Sequence, residues 1–439
     1  MKRVAFHNLG CKVNDYETDI MQQLFVKNDF QVVPFSEKAD IYVINTCTVT
    51  NMADRKSRQM LHRAKKMNPD AIVVAVGCYV QTSPEEAKND SSVDIAIGNN
   101  KKSEVIEIIE DYISKNKPEL FSNIIDINHT DVYETMHLDS TAERTRAYIK
   151  IQDGCNQFCS YCLIPFARGR VRSRDEADIL EEIKGLGKKG YKEFVLTGIH
   201  VSSYGIEDPN DLSQNKLADL LEKIQKIDEV ERIRLSSLEP RVVTREFAQR
   251  ISKLDKLCPH FHLSLQSGCD ETLKRMNRHY TTNQYKDGVS LLREYFDNPA
   301  ITTDIIAGFP GESDEEFEKS FSFAREIGFY EMHIFKYSKR KGTVAATMKG
   351  QVLDSLKEER SKRLIELGDG LSKEFRKSYL NKVRPVLFEE CVKIDGKDYI
   401  IGHTPEYIKV ALDANDADSN EVKMVTLTSF LSDDVMLAK

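Results

Sequence analysis

Apolar and polar positions divide the chain into three stretches of different rhythm. In the first, short apolar runs at residues 4–9, 41–46, 71–77 and 94–98 alternate with segments of helical periodicity at about 14–28, 52–67 and 102–115. Short β-branched runs read as strands and apolar repeats of three and four as helices, with Asn14 placed to cap the first helix. Strands that alternate with helices imply βαβ units and a parallel sheet. Residues 128–145 are polar and read as a linker.

The second stretch repeats the alternation on a larger scale. Six strand candidates begin near Tyr148, Glu193, Arg232, His260, Ile301 and Glu331, with amphipathic helices between them; Ile179, Ile183 and Leu186 make one apolar stripe. Six β/α units are too few to close an eight-fold barrel, so an open, partial (β/α)6 barrel is expected. After a charged helix at 354–379 the rhythm changes to short alternating runs at 386–392, 399–401, 407–412 and 422–427, with a turn at Asp395 and Gly396. That pattern predicts a small all-β barrel. The fold class is therefore α/β: a parallel α/β unit over residues 1–127, a partial barrel over 146–375 and a β-barrel over 376–439.

Composition narrows the class. Among the 439 residues no run of 18 apolar positions occurs, which argues against a membrane span. The opening residues are too short an apolar run for a signal peptide, so the cytosol is the expected compartment. There, nine cysteines point to metal binding, catalysis or burial rather than to disulfides. A net charge of −7 excludes a protein that is basic all over, yet leaves room for local basic patches.

The cysteines carry the chemistry. Cys155-Asn-Gln-Phe-Cys159-Ser-Tyr-Cys162 places three thiols on a loop directly after a predicted strand. Three thiolates suit an iron–sulfur cluster with one iron left open, whereas a structural zinc would want a fourth close ligand. Cys11, Cys47 and Cys78 are dispersed, but each follows a predicted strand. In a parallel sheet those strand ends share one edge, where ligands bind, so the three thiols can converge; separate buried cysteines are the alternative. Cys258, Cys269 and Cys391 have no such pattern. His260 and His262 alternate on one strand and face the same way, as a metal-dependent hydrolase would use them, or as core histidines.

With both trios in view, the sequence resembles the methylthiotransferase family of radical-SAM enzymes over nearly its whole length. Asn8-Leu-Gly-Cys11-Lys-Val-Asn14, Asn45-Thr-Cys47-Thr-Val-Thr50 and Val76-Gly-Cys78 are similar to the family's N-terminal motifs. Gly154 to Cys162 with Ile164-Pro-Phe-Ala-Arg-Gly-Arg170, Leu196-Thr-Gly198, Ser236-Ser-Leu-Glu-Pro240, Leu265-Gln-Ser-Gly268 and Gly308-Phe-Pro-Gly-Glu312 resemble its barrel motifs. The Leu-Gly-Cys-Lys-Val-Asn string looks most like the branch acting on N6-threonylcarbamoyladenosine at position 37 of tRNA. Other branches act on isopentenyladenosine in tRNA or on a ribosomal-protein aspartate. Two places depart from the pattern: Ser338-Lys-Arg-Lys-Gly-Thr343 carries charge where an uncharged residue is common, and the tail, otherwise similar to a TRAM barrel, holds more acidic than basic residues.

The resemblance implies two 4Fe-4S clusters, S-adenosyl-L-methionine and tRNA. One cluster would sit on Cys155, Cys159 and Cys162 and cleave S-adenosylmethionine; the other, on Cys11, Cys47 and Cys78, would serve sulfur transfer to C2 of the adenine. An electron donor of the flavodoxin or ferredoxin kind and a sulfur source are implied partners. Gly198, Ser237, Glu239 and Gln266, at strand ends, are the expected S-adenosylmethionine contacts, Gly198 because its backbone is open to close approach. Arg168, Arg170, Arg172 and Arg174 would present a row of cations about 6.6 Å apart to successive phosphates if the segment is extended. The basic helix after Cys47, with Arg55, Lys56, Arg58, Arg63, Lys65 and Lys66, is a second candidate RNA surface.

Overall fold

Strands Ile41–Thr46 and Ile72–Gly77 are buried at every position. Apolar runs of this kind fit strands covered on both faces. They form the middle of a six-stranded sheet in the order Gln31–Val33, Arg3–Asn8, Ile41–Thr46, Ile72–Gly77, Ile95–Ile97, Phe121–Asn123, every pair parallel. The structure, a computed structural model, describes residues 2–115, 121–140, 145–206 and 216–439. The two outer strands are three residues long, too short to show alternation in sequence. Helix Lys12–Lys27 packs Met21 and Phe25 on one face of the sheet, and helix Asn51–Met67 packs Leu61 and Ala64 on the other.

Asn14 does not cap the first helix. That helix begins at Lys12 with Cys11 in the cap position, and the Asn14 amide is buried, donating to the carbonyls of Leu9 at 2.7 Å and Thr46 at 3.1 Å. It ties the helix start to the ends of two strands, which is where Cys11 and Cys47 lie.

The barrel strands are Arg146–Asp153, Glu193–Gly198, Arg232–Leu235, His260–His262, Ala300–Ala307 and Glu331–Lys336. They run parallel in two hydrogen-bonded groups joined through a parallel bridge between Leu238 and Leu263. Ile149, Phe194, Ile233, Phe261 and Ile301 point outward into one apolar layer with helix residues such as Ile183 and Leu221. The alternate residues line the concave face. At its floor stand Arg146, Glu193, Arg234 and His260, stoppered by Tyr407 from the C-terminal barrel. The Tyr407 ring lies 4.7 Å from the Arg234 guanidinium and 5.1 Å from the His260 ring.

Residues 128–140 are not a loose tether, and 141–144 lie outside the described residues. Met136 and Leu138 are buried in the barrel's apolar layer, and Glu134 accepts from the Ser103 N–H and hydroxyl at 2.7 and 2.9 Å. Tyr133, Glu134 and His137 of this strap find partners inside the protein, so a sequence that reads as a linker is in part packed. The tail closes into a barrel in the order Val383–Ile394, Lys397–His403, Lys409–Asp413, Met436–Ala438, Val422–Phe430. Among the described residues no helix is long and apolar enough to cross a membrane.

Candidate active site

Parallel pairing puts the C-terminal ends of strands Arg3–Asn8, Ile41–Thr46 and Ile72–Gly77 side by side, so Cys11, Cys47 and Cys78 emerge on one edge. Gly10, at φ +115°, presses its loop so close that a Cβ there would lie 3.0 Å from Cys47 Sγ. The three sulfurs sense one another. Burial pushes the Cys47 thiol up to about 12, with further upward pressure from Cys78 and Cys11. Cys11 is exposed at the edge, yet partial desolvation of its sulfur still raises it, against a downward pull from Arg168. Each sulfur also meets an N–H donor: Cys78 Sγ accepts from Arg168 Nε at 3.3 Å and Asn99 Nδ2 at 3.5 Å, Cys11 from the Asn14 backbone, Cys47 from the Val49 backbone.

The second trio follows strand Arg146–Asp153. Its loop turns at Gly154, φ +74°, where a Cβ would sit 1.8 Å from the Arg170 carbonyl oxygen, and the Cys155 N–H donates to the Gly169 carbonyl at 3.0 Å. Burial and the neighbouring Cys159 push the Cys155 thiol up to about 12; burial, Cys159 and Cys155 raise Cys162 further. Donors again converge: Arg278 Nη1 on Cys159 Sγ at 3.2 Å, the Ile164 N–H on Cys162 Sγ at 3.4 Å, the Gln157 backbone on Cys155. Gly154→Ala is expected to cost on the order of 3 kcal/mol and to strip iron from this trio alone, because the side chain meets backbone that cannot yield. Thermal unfolding with iron analysis checks it.

One side chain joins the trios. Arg168, six residues after Cys162, is fully buried. Besides Cys78, its guanidinium reaches Glu17 at 2.5 and 3.0 Å, Asn14 Oδ1 at 2.5 Å and Asp153 Oδ2 at 3.4 Å. Glu17 also binds Lys150 at 2.7 Å and Lys102. Asn99 Nδ2 spans the same gap, donating to the Ala167 carbonyl at 2.7 Å. The wall between the trios is thus a buried ionic network held from both sides.

Comparison with known proteins fits this geometry. The model of the radical SAM superfamily matches residues 149–324, and that of the uncharacterized protein family UPF0004 matches residues 3–98. The threonylcarbamoyladenosine tRNA methylthiotransferase MtaB of Bacillus subtilis (strain 168) is 43% identical over 93% of this chain and 90% of its own length. The chain belongs to the radical-SAM methylthiotransferases, in the threonylcarbamoyladenosine branch. MtaB of Aquifex aeolicus (strain VF5) is 40% identical over 88% of the chain and 93% of its own length. A tRNA-2-methylthio-N(6)-dimethylallyladenosine synthase of Clostridium botulinum (strain Loch Maree / Type A3) is more distant, at 36% over 90% and 87%. The radical S-adenosylmethionine methyltransferase TsrM from Kitasatospora setae shares the fold, with a TM-score of 0.55 at 15% identity over 76% of this chain and 72% of that one.

Methylthiotransferases use two 4Fe-4S clusters and S-adenosylmethionine. The donor sets here fit: six sulfurs in two trios, each meeting an N–H, suit anionic thiolates, whose hydrogen bonds tune such clusters. The expected S-adenosylmethionine contacts do occupy strand ends. Gly198 closes its strand against Gln152, and Ser237 is exposed. Gln266 adopts φ +68°, a strained backbone held by bonds to Asp304 and Ile306. Glu239 is buried, and both its oxygens accept from Arg241 Nε at 2.8 and 3.0 Å.

The arginine row expected to face RNA is not a surface row in this methylthiotransferase. Arg168 caps the short helix Ile164–Ala167, and Arg168, Arg172 and Arg174 are buried; Arg174 pairs with Glu182, and Arg172 Nη2 donates to the Arg168 carbonyl at 2.9 Å. Only Arg170 is partly exposed, its guanidinium 4.5 Å over the Phe158 ring. The row fails because the segment turns at Gly169, φ +75°, instead of running extended. Sequence reading also missed three residues. Arg278 comes from a loop far along the chain, with no local signature. His200, its pKa pushed down to about 3 by burial and by Arg278 and Arg241, donates its backbone N–H to Gln152 at 2.7 Å. Arg340, within the charged 338–343 segment, is buried and reaches Thr48 at 2.7 Å, Asn51 at 2.6 Å and Asp54 at 2.7 Å, beside Cys47.

Proposed function

We propose that this chain adds a methylthio group to C2 of N6-threonylcarbamoyladenosine at position 37 of tRNA, in the cytoplasm. The observation that carries the reading is the pair of thiol trios on two sides of one buried wall, with a relative of that activity spanning nearly the whole chain. Cys155, Cys159 and Cys162 hold the cluster that faces S-adenosylmethionine; Cys11, Cys47 and Cys78 hold the auxiliary one. When bound, these groups supply the reductive and sulfur-transfer chemistry. The chain's own part is to place and shield them. Gly198, Ser237, Glu239 and Gln266 contact S-adenosylmethionine at the strand ends, with the Glu239 carboxylate oriented by Arg241. The three units, residues 1–127, 146–375 and 376–439, divide the work among auxiliary cluster, radical chemistry and RNA. A flavodoxin-like or ferredoxin-like reductant and a sulfur source complete the cycle.

RNA reaches the site across the basic start of helix Asn51–Met67 and the 338–343 segment. Arg55, Lys56, Lys339 and Lys341 are exposed there, around a cleft of roughly 740 Å³ lined by Leu163, Phe166 and Arg340. Exposed Phe166, with the Phe158 ring 6.1 Å away, offers a face for an unstacked base. Lys339→Glu with Lys341→Glu is expected to weaken tRNA binding about tenfold at moderate salt and to lower the salt slope by about one for each phosphate no longer neutralised. Filter binding across a salt series reads this; affinity and slope equal to wild type would remove the surface from the proposal. The function itself is tested by nucleoside mass spectrometry of tRNA from a deletion strain. The methylthio derivative of threonylcarbamoyladenosine should vanish and return with the gene. Loss instead from isopentenyladenosine, or from a ribosomal-protein aspartate, would assign another branch.

A further inference from the structure

His260 and His262 face the same way, into the barrel, but meet different partners. His260 turns to the floor, its ring against Tyr407. His262 instead joins residues from the next two strands. Register sets His262 beside Thr302 and Asp304 beside His333, and all project from the concave face, since Phe261, Ile301 and Ile305 point to the helices. One ligand atom each from His262, Asp304 and His333 lies within 4.8 Å of the other two, and the imidazole rings stack at 5.8 Å with 21° between their planes.

The hydrogen bonding of His262 is divided in a telling way. Nδ1 lies 3.0 Å from Thr302 Oγ1, while buried Nε2 has no hydrogen-bond partner and faces Asp304 Oδ2 at 3.4 Å. A metal-binding imidazole shows this division: one nitrogen tied to an oxygen, the other lone pair free. We propose that His262, Asp304 and His333 form a site for one divalent transition-metal ion of the zinc or ferrous class, separate from the cysteine trios. Two imidazoles and a carboxylate suit that class and leave coordination positions open. His333 is exposed, so those positions face the barrel interior, where water or an oxygen of a bound molecule completes the shell.

The test uses full-length protein with reconstituted clusters, dialysed anaerobically against zinc chloride at micromolar free concentration, with zinc and iron then counted separately. Wild type should retain a zinc equivalent whose X-ray absorption edge shows only nitrogen and oxygen neighbours. His333→Ala, at an exposed position, and Asp304→Asn should each weaken retention by at least about tenfold with iron unchanged. Absence of zinc in wild type would overturn the proposal and leave only an imidazole–carboxylate contact. Equal zinc in both variants, or sulfur in the zinc shell, would overturn it too.

Discussion

Cys155→Ala and Cys47→Ala are each expected to abolish methylthiolation, and to do so at different steps. The Cys155 variant should release no 5′-deoxyadenosine from S-adenosylmethionine; the Cys47 variant should still release it while leaving the nucleoside unthiolated. Each should keep roughly half of the wild-type iron, because the trios are separate donor sets. The physical ground is the state of the thiols. Burial holds Cys47 and Cys155 at about 12, so near pH 7 the metal-free chain carries neutral thiols there, and loading must expel their protons. Iron loading therefore weakens as pH falls. Three thiolates are what a four-iron cluster with a single open iron needs, so a lost thiolate has no substitute within its trio. Anaerobic reconstitution, iron counting and product analysis decide the matter. If both variants lost the same iron, or the Cys47 variant still thiolated tRNA, the division between the trios would fall.

That division was partly legible in the sequence. A parallel sheet places every strand end on one edge, so the dispersed Cys11, Cys47 and Cys78 could be brought together from periodicity alone. The local spacing of Cys155, Cys159 and Cys162 needed no fold at all. What sequence hid was the surroundings of the sulfurs. Arg278 reaches Cys159 from more than a hundred residues away, and nothing near it marks it as special. Arg168 was misread for a related reason: alternating arginines look like a phosphate row when the segment is taken as extended, but the turn at Gly169 sends them inward to Glu17, Asp153 and Glu182. The polar strap over residues 128–140 misleads in the same way, since polar groups with internal partners look in sequence like solvated ones. In each case the pattern reports residue type, and burial depends on partners contributed by distant segments.

Glu17→Gln is expected to lower stability by about 3–5 kcal/mol, although it changes one atom and touches no cysteine. Glu17 is almost fully buried, and Lys102, Lys150 and Arg168 all close on it. Asp153 shares Lys150 at 2.7 Å and Arg168 at 3.4 Å and also meets Arg172 at 3.8 Å, so two buried carboxylates face four cations. Taking one carboxylate away leaves desolvated cations facing one another, which costs far more than a surface pair contributes. Burial alone would raise the Glu17 carboxyl, but Arg168, Lys102 and Lys150 overcome it and hold it well below the usual range. A depressed carboxylate adds stability that is complete above its unfolded value, near pH 4.3, and is lost as pH falls through the folded one. The gap between wild type and variant should thus be widest near neutrality, about 3–5 °C in Tm, and begin to close below about pH 4.3. The chain has no tryptophan, so circular dichroism is the probe. Because Arg168 loses its main anchor, iron on the Cys11, Cys47 and Cys78 trio should fall with stability. A variant within about 1 kcal/mol of wild type at pH 7, or a gap that ignores acid, would mean the wall between the trios is not held by this charge.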